Sequence, residues 1–510
     1  MKPVKTEYKA LAAITAGTIA VLSIAACSIA SSNTPDTTVP SESETIVETT
    51  FSDNDLNAGY DEGEAQIITL NGTSASSDSS SVKTEGSVVT ITGKGTYVIT
   101  GTLNDGYIVV DAGDSDDIRI VLDNADITSS DYAAIYCLNA DNVYITLADG
   151  SSNSLSSTGE FDSKDSNSVD GAIFAKTDIT INGSGTLKIN STDHGIVGKD
   201  DVTITGGGIS IKSSSDGIQA NDSVSVKDAV INIVCGKDGI QADNDDDKTK
   251  GYVYIASGSI TISAGDDGIT ASSSLQIDDG TIDITGSYEG LEGRYVTVNG
   301  GTISIVSSDD GINAVSSTSS GEMFQADDSK LCINGGEIYV NTQGDGVDSN
   351  GTFEMTGGIL TVMGPTSGAN GSLDVNGSAV ISGGTVVMAG ASGMATNFTD
   401  ATQGTALLTV GNQSEGSEIT VTDSTGNVIL SATSDCSYQT VLVSSPDMEK
   451  DGTYTVTAGS YSETITLSGY LYGAGGGFGG GVPGGDPGQM PAGNSGDFPS
   501  GGPGGMHPPF

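Results

Sequence analysis

Between Asp170 and Asn350 one short motif, usually Asp-Gly followed by an apolar residue, returns at nearly equal intervals. It reads Asp170-Gly171-Ala172, His194-Gly195-Ile196, Asp216-Gly217-Ile218, Asp238-Gly239-Ile240, Asp267-Gly268-Ile269, Glu289-Gly290-Leu291, Asp310-Gly311-Ile312 and Asp345-Gly346-Val347. From glycine to glycine the spacings are 24, 22, 22, 29, 22, 21 and 35 residues. A fixed period in this range marks a solenoid, whose repeats bury their apolar faces only against their neighbours.

Within a repeat the apolar residues fall at offsets +1, +7, +9, +14 and +16 from the marker glycine, as in Ile196, Val202, Ile204, Ile209 and Ile211. The next repeat supplies Ile218, Val224, Val226, Ile231 and Ile233, and the one after Gly268 supplies Ile269, Leu275, Ile277, Ile282 and Ile284. Apolar pairs two apart are the signature of a strand with one buried face. The pattern therefore predicts an all-β parallel β-helix of about 22 residues and three short strands per coil. Glycine pairs Gly206-Gly207, Gly300-Gly301, Gly335-Gly336 and Gly357-Gly358 fall between the second and third strands, where a corner needs unusual backbone angles. The two long intervals carry insertions, at Asp243 to Tyr252 and around Val315 to Asp328, and such insertions usually project from one face.

The flanks read differently. Residues 1–26 have a basic start (Lys2, Lys5, Lys9), an apolar run from Ala10 and small residues before Cys27, which is a secretory signal pattern. Residues 27–60 are rich in Ser, Thr, Glu and Pro, as a solvated tether would be. The helix is expected over residues 61–400, with short runs such as Tyr107 to Val110 and Ile118 to Leu122 forming irregular first coils that cap it. Residues 401–470 hold further strand patterns, either a small antiparallel module or a cap on the last coils. Residues 471–510, mostly Gly, Pro and small polar residues, cannot bury a core and are expected to be a disordered tail.

Charge narrows the function. The chain has 66 acidic and 18 basic side chains, a net −48. Nucleic acid is excluded as a natural partner, because binding it requires clustered positive charge. An acidic polymer would also be repelled unless cations intervene. Cys137, Cys235, Cys332 and Cys436 are far apart with no CxxC pair, and scattered thiols are the preferred reading.

Equivalent positions in successive coils stack about 4.8 Å apart, and the residue before the marker glycine is acidic in every repeat quoted except that of His194. Carboxylates so close disfavour joint ionisation, so something should neutralise them. Calcium suits the task, taking six to eight oxygen ligands in flexible geometry. The densest oxygen cluster is Glu289 and Glu292 with Asp309, Asp310 and Asn313 one coil on. Asp266 and Asp267 one coil earlier, and Asp345 and Asp348 one coil later, extend it. Transition metals are disfavoured, since only His194 and His507 are present and no Cys/His ligand spacing occurs. An isolated Asp-Gly is also simply a good turn.

At these residues the chain resembles the bacterial carbohydrate-binding β-helix family related in shape to pectate-type polysaccharide lyases. The likeness covers roughly residues 85–467 and includes Gly95-Thr96-Tyr97-Val98-Ile99, Glu289-Gly290-Leu291-Glu292-Gly293, Ser308 to Ala314, Gly344 to Gly351 and Gly452-Thr453-Tyr454-Thr455-Val456. It implies a right-handed parallel β-helix, bound calcium, and binding of plant cell-wall polysaccharide, especially acidic pectin-like chains, with cellulose as an alternative. Leu22 to Cys27 resembles the bacterial lipobox, which implies lipidation of Cys27 and an extracellular, membrane-anchored protein. The chain departs from ordinary carbohydrate-binding modules in having no Trp. Sugar stacking would fall to Tyr288, with Arg294 as a second contact. Calcium could then bridge the ligand's carboxylates to the protein's.

Two other readings stay open. A lyase acting by β-elimination needs a base, for which Lys199, Lys237 and Arg294 are the candidates, although cations amid carboxylates make poor bases near neutrality. A structural surface protein or adhesin would use calcium only to stiffen the solenoid.

Overall fold

A computed structural model describes residues 51–244, 246–316 and 325–473. The signal segment, Cys27, most of the expected tether and residues 474–510 lie outside them. Among the described residues strands dominate, and all but four of those strands join one extended, mostly parallel sheet. Each strand of the repeat region pairs with its counterpart in the next coil. Three ladders result, exemplified by Ile196↔Ile218↔Ile240, Val202↔Val224↔Val253 and Ile209↔Ile231↔Ile260. The architecture is a solenoid of stacked three-strand coils.

The predicted offsets are the core. Ile196, Val202, Ile204, Ile209 and Ile211 are at most 2 % exposed, and their counterparts in the following coils are equally buried. Each such side chain contributes about 1.5–3 kcal/mol when fully removed from water. They form one continuous cluster from Ile68 to Leu442. The marker glycine is demanded by space. A Cβ on Gly217 would lie 2.5 Å from Ile233 Cγ2 and 2.6 Å from the Gly239 carbonyl oxygen. The second glycine of each corner pair needs its backbone freedom: Gly207, Gly301, Gly336 and Gly358 have φ of 84°, 89°, 86° and 83°.

Both ends depart from the repeat. At the start, Gln66–Gly72 and Val82–Glu85 make antiparallel pairs with Ala75–Ser76 and Val88–Ile91 before the parallel ladders take over. At the far end, Tyr438–Ser445 pairs antiparallel with both Thr385–Gly390 and Gly404–Gln413. A separate four-stranded antiparallel sheet, Glu418–Asp423, Val428–Thr433, Thr453–Ala458 and Tyr461–Thr466, shares a core with the strands of the last coils. Both features left open by the sequence are thus present: an antiparallel module, joined to the last coils. No disulfide joins Cys137, Cys235, Cys332 and Cys436.

Two edges of the expected disorder are ordered. Within the stretch expected to be a tether, Asp53–Leu56 forms a short helix with a capping box at Ser52, laid against the second ladder. The Thr180 hydroxyl donates to Asp55 at 2.6 Å, Asn182 Nδ2 and Thr205 Oγ1 donate to the Asp55 carbonyl, and Phe51 stacks on Tyr254 with ring centroids 6.0 Å apart. At the start of the expected tail, Leu471–Tyr472 pairs with Thr405 and Ala406. Neither contact follows the period, and composition alone does not reveal it.

Candidate metal and carbohydrate site

The residues before the marker glycines form a column along the solenoid, and its hydrogen bonds run in one direction. The backbone N–H of Asp238 donates to Asp216 Oδ1 at 3.0 Å, that of Asp267 to Asp238 Oδ1 at 2.9 Å, and that of Glu289 to Asp267 Oδ1 at 3.1 Å. The same step recurs from Asp345 to Asp310 and from Gly371 to Asp345. One oxygen of each carboxylate is therefore committed to the next coil. Glu289, one methylene longer, instead accepts from Asn313 Nδ2 at 2.9 Å.

Beside the column runs a second row, in strand register: Gln219, Gln241, Thr270, Glu292, Asn313, Asp348 and Asp374. Its chemistry changes along the stack. In the earlier coils Gln241 Nε2 donates to Asp238 Oδ2 at 2.9 Å, and Gln219 Nε2 to Gln241 Oε1 at 3.1 Å, so amide groups answer the carboxylates. In the later coils the row itself is acidic. Carboxylate oxygens then converge within 4.8 Å in three groups: Asp238 with Asp266 and Asp267, Asp267 with Glu289 and Glu292, and Asp310 with Asp345 and Asp348.

Burial and mutual repulsion disfavour ionisation of Asp238, Asp267, Asp310, Asp345 and Asp348. Burial, then Glu289 and Asp238, pushes Asp267 up to about 7. Burial is also the main cause for Asp310 and Asp345, both at about 7, and for Asp348, at about 8, with neighbouring carboxylates adding to it. Glu289 and Glu292 titrate together, both raised by burial. At the other end of the column His194 stands among carboxylates, where a proton on the imidazole is favoured. Its Nδ1 lies 3.0 Å from Asp216 Oδ2 and its Nε2 3.5 Å from Asp193 Oδ1. Burial opposes the charge, yet Asp216, Asp193 and Asp170 together keep the imidazole above its usual pKa.

The residues present fit a hard cation. Every donor in the three groups is an oxygen, and Asn313 Oδ1, buried beside Glu289, has no hydrogen-bond partner. An orphaned buried carbonyl costs about 1–3 kcal/mol unless something accepts its lone pairs.

The structure sorts the residues expected from sequence. Asp267, Glu289 and Glu292 come together, as do Asp310, Asp345 and Asp348, while Asp266 joins Asp267 and Asp238. Glu292 stands in register with Asn313 as the spacing predicts. Asp309 turns away toward Tyr288, an exposed ring at the rim whose hydroxyl it pushes up to about 12. Arg294 has a buried guanidinium that pairs with Asp328 from the second insertion and covers the Tyr295 ring at 5.0 Å. Lys199 Nζ sits 5.5 Å from the Phe174 ring centre, and Lys237 is exposed beside Asp238. Missed were Asp238, a marker residue present in the repeat all along, Asp374, which follows the loss of the marker, and Asp328, hidden in an insertion.

Parts of the chain are similar to known proteins. Residues 85–329 match the family described as "Carbohydrate-binding domain-containing protein". A relative of the same description from Acetivibrio thermocellus is 38% identical over 128 residues, 24% of this chain and 45% of the relative, so the match spans less than half of that protein. The solved polysaccharide lyase-like protein from C. thermocellum, a gadolinium derivative, is 33% identical, with 47% of this chain and 93% of that one covered at a TM-score of 0.42. Over residues 85–329 the chain is thus similar to the family of carbohydrate-binding domain-containing proteins.

Proposed function

We propose that the chain is a non-catalytic, calcium-dependent binder of acidic, pectin-like polysaccharide, built on a right-handed parallel β-helix and held at the outer cell surface by a lipid on Cys27. The family supports carbohydrate as the ligand. The observation that supports calcium is the convergence of carboxylates in three oxygen-only groups beside the orphaned Asn313 carbonyl.

Asp267, Glu289, Glu292 and Asn313 would hold one calcium, Asp310, Asp345 and Asp348 another, and Asp238 with Asp266 and Asp267 is a third candidate set. Bound there, calcium supplies the positive charge that lets a uronate carboxylate approach a protein of net −48. The protein's own side chains do the remaining work. The column carboxylates keep one oxygen on the next coil's amide, which fixes their direction. Tyr288, 48 % exposed at the rim, offers an aromatic face. Arg294 is tied to Asp328, which favours binding over β-elimination.

Calorimetric titration of the purified chain with polygalacturonate, in calcium and then in excess chelator, tests this while absorbance follows unsaturated uronide products. Calcium-dependent heat without an absorbance rise is expected. Steady product formation would make the protein a lyase, and no heat in either condition would leave the carboxylates a structural role.

A further inference from the structure

The row that carries Glu292 and Asn313 does not end at Gln219. In register it continues through Val197 to Phe174 and Tyr136, so the polar row becomes aromatic five strand steps, about 24 Å, from Glu292. There four rings stand in file on the outside of the solenoid: Tyr107 to Tyr132 at 5.1 Å, Tyr132 to Tyr136 at 5.6 Å and Tyr136 to Phe174 at 5.8 Å. They belong to a small cluster separate from the main core. In a chain without Trp this is a concentrated aromatic surface.

A strap covers it. Between the strands Ser152–Ser157 and Gly171–Ala175 the chain runs 13 residues, against two between Thr186–Ser191 and His194–Gly198. Residues 158–170 cross the rings without forming a strand. Phe161 and Val169 of the strap pack against the aromatic cluster, the Asp162 N–H donates to the Asp131 carbonyl at 2.8 Å, and polar side chains add further ties. Lys164 pairs with Asp131 at 2.8 Å and lies over the Tyr107 and Tyr132 rings, while Asp165 accepts from the Tyr136 hydroxyl at 2.7 Å and Asn167 Nδ2 donates to it at 2.7 Å. The ion pair is partly exposed, and exposed pairs contribute little. At the strap's end Ser168 has φ of 51°, a conformation that non-glycine residues rarely hold. The fastenings imitate a ligand: a carboxylate and an amide on the tyrosine hydroxyl, and a cation over the ring faces.

We infer that the strap is a lid over a second subsite of the same groove, where Tyr132, Tyr136 and Phe174 stack sugar rings of an acidic polysaccharide whose other end lies at the Glu292 cluster. This rests on the proposed function for the first subsite. Lys199 at the Phe174 ring would meet the sugar carboxylates there. Short oligomers reach only the carboxylate cluster. Long ones displace the strap.

The test compares wild type with the double variant Asp131→Ala/Asp165→Ala, which unfastens the strap without touching a ring or Lys164. Size-graded oligogalacturonides are titrated in calcium and in chelator, and tyrosine emission, the main intrinsic fluorescence of a Trp-free chain, reports ring stacking. A second variant, Asp149→Ala/Asp228→Ala, removes the same charge elsewhere. In calcium, long oligomers should bind the unfastened variant about tenfold more tightly, as for a strap open in roughly a tenth of wild-type molecules, with short oligomers unchanged. Amides of residues 158–170 should lose exchange protection when wild type is saturated with a long oligomer. Equal gains for short and long oligomers, equal gains in the charge control, or a strap that stays protected would overturn the lid. If calcium-dependent binding itself fails, quenching of the unfastened variant in chelator but not of wild type still supports the aromatic subsite, and quenching of neither overturns it.

Discussion

Calcium removal should make this protein less stable as pH rises, the reverse of ordinary acid denaturation. Asp267, Asp310 and Asp345 titrate at about 7 and Asp348 at about 8 in the folded chain, against an ordinary value of 3.8. Between roughly pH 5 and pH 7 the folded protein therefore holds protons that the unfolded chain has released. Stability is full below the unfolded pKa, and each group removes about 1.4 kcal/mol per pH unit until its folded pKa is passed. One aspartate held at about 7 thus costs about 4 kcal/mol by pH 8. The groups share their causes, Asp310 raising Asp345 and both raising Asp348, so their costs do not add, and an array total on the order of 5 kcal/mol is expected. That is comparable to the whole stability of many domains. His194, also raised, acts in the same direction, its share lost as pH passes its folded pKa. The assay is denaturant unfolding in chelator at pH 5.5 and pH 8, repeated for Asp310→Asn/Asp348→Asn, which keeps the His194 share and loses much of the rest. Calcium at about a hundred times its dissociation constant should return about 2.7 kcal/mol per site at pH 8. Equal midpoints at the two pH values in chelator, or the same fall in the double variant, would refute the reasoning.

Three further outcomes are expected. Asn313→Leu should weaken calcium binding about tenfold or more, checked by calorimetric titration with calcium. Gly217→Ala should destabilise by about 1–3 kcal/mol, since its Cβ would press on Ile233 and on the next coil's carbonyl, and a melt at unchanged calcium affinity would show it. Arg294→Ala should lower stability by about 1–3 kcal/mol through loss of charge-assisted bonds to Asp328, yet leave polygalacturonate affinity unchanged; a lost affinity would return Arg294 to the binding site.

What the sequence made legible was whatever repeats. Ile209, Ile231 and Ile260 occupy one ladder because the period says so, and the acidic column follows from the same count. Even the register of Glu292 with Asn313 could be read off. Contacts between segments unrelated by the period could not. Arg294 meets Asp328 across an insertion, and Phe51 meets Tyr254 some two hundred residues away, with no spacing rule to join them. The division of the oxygen cluster into separate groups was equally hidden, because it depends on which carboxylate oxygen each backbone amide occupies. Nor could the aromatic file be seen, since Tyr107, Tyr132, Tyr136 and Phe174 precede the regular markers or sit at their first, shifted turn.

A stack of near-identical coils has no inherent length, and nothing in the repeat itself forbids another copy from continuing it. The antiparallel strand Tyr438–Ser445 bears on this at one end, and the antiparallel pairs at residues 66–91 at the other. A parallel ladder grows by presenting each newcomer with the same face as the last, like a crystal adding layers along one axis. A reversed strand presents a different hydrogen-bond pattern, on which the next coil finds no template. The irregular ends therefore act as growth inhibitors, and trimming Tyr438–Ser445 would convert a molecule of fixed length into a seed for fibres.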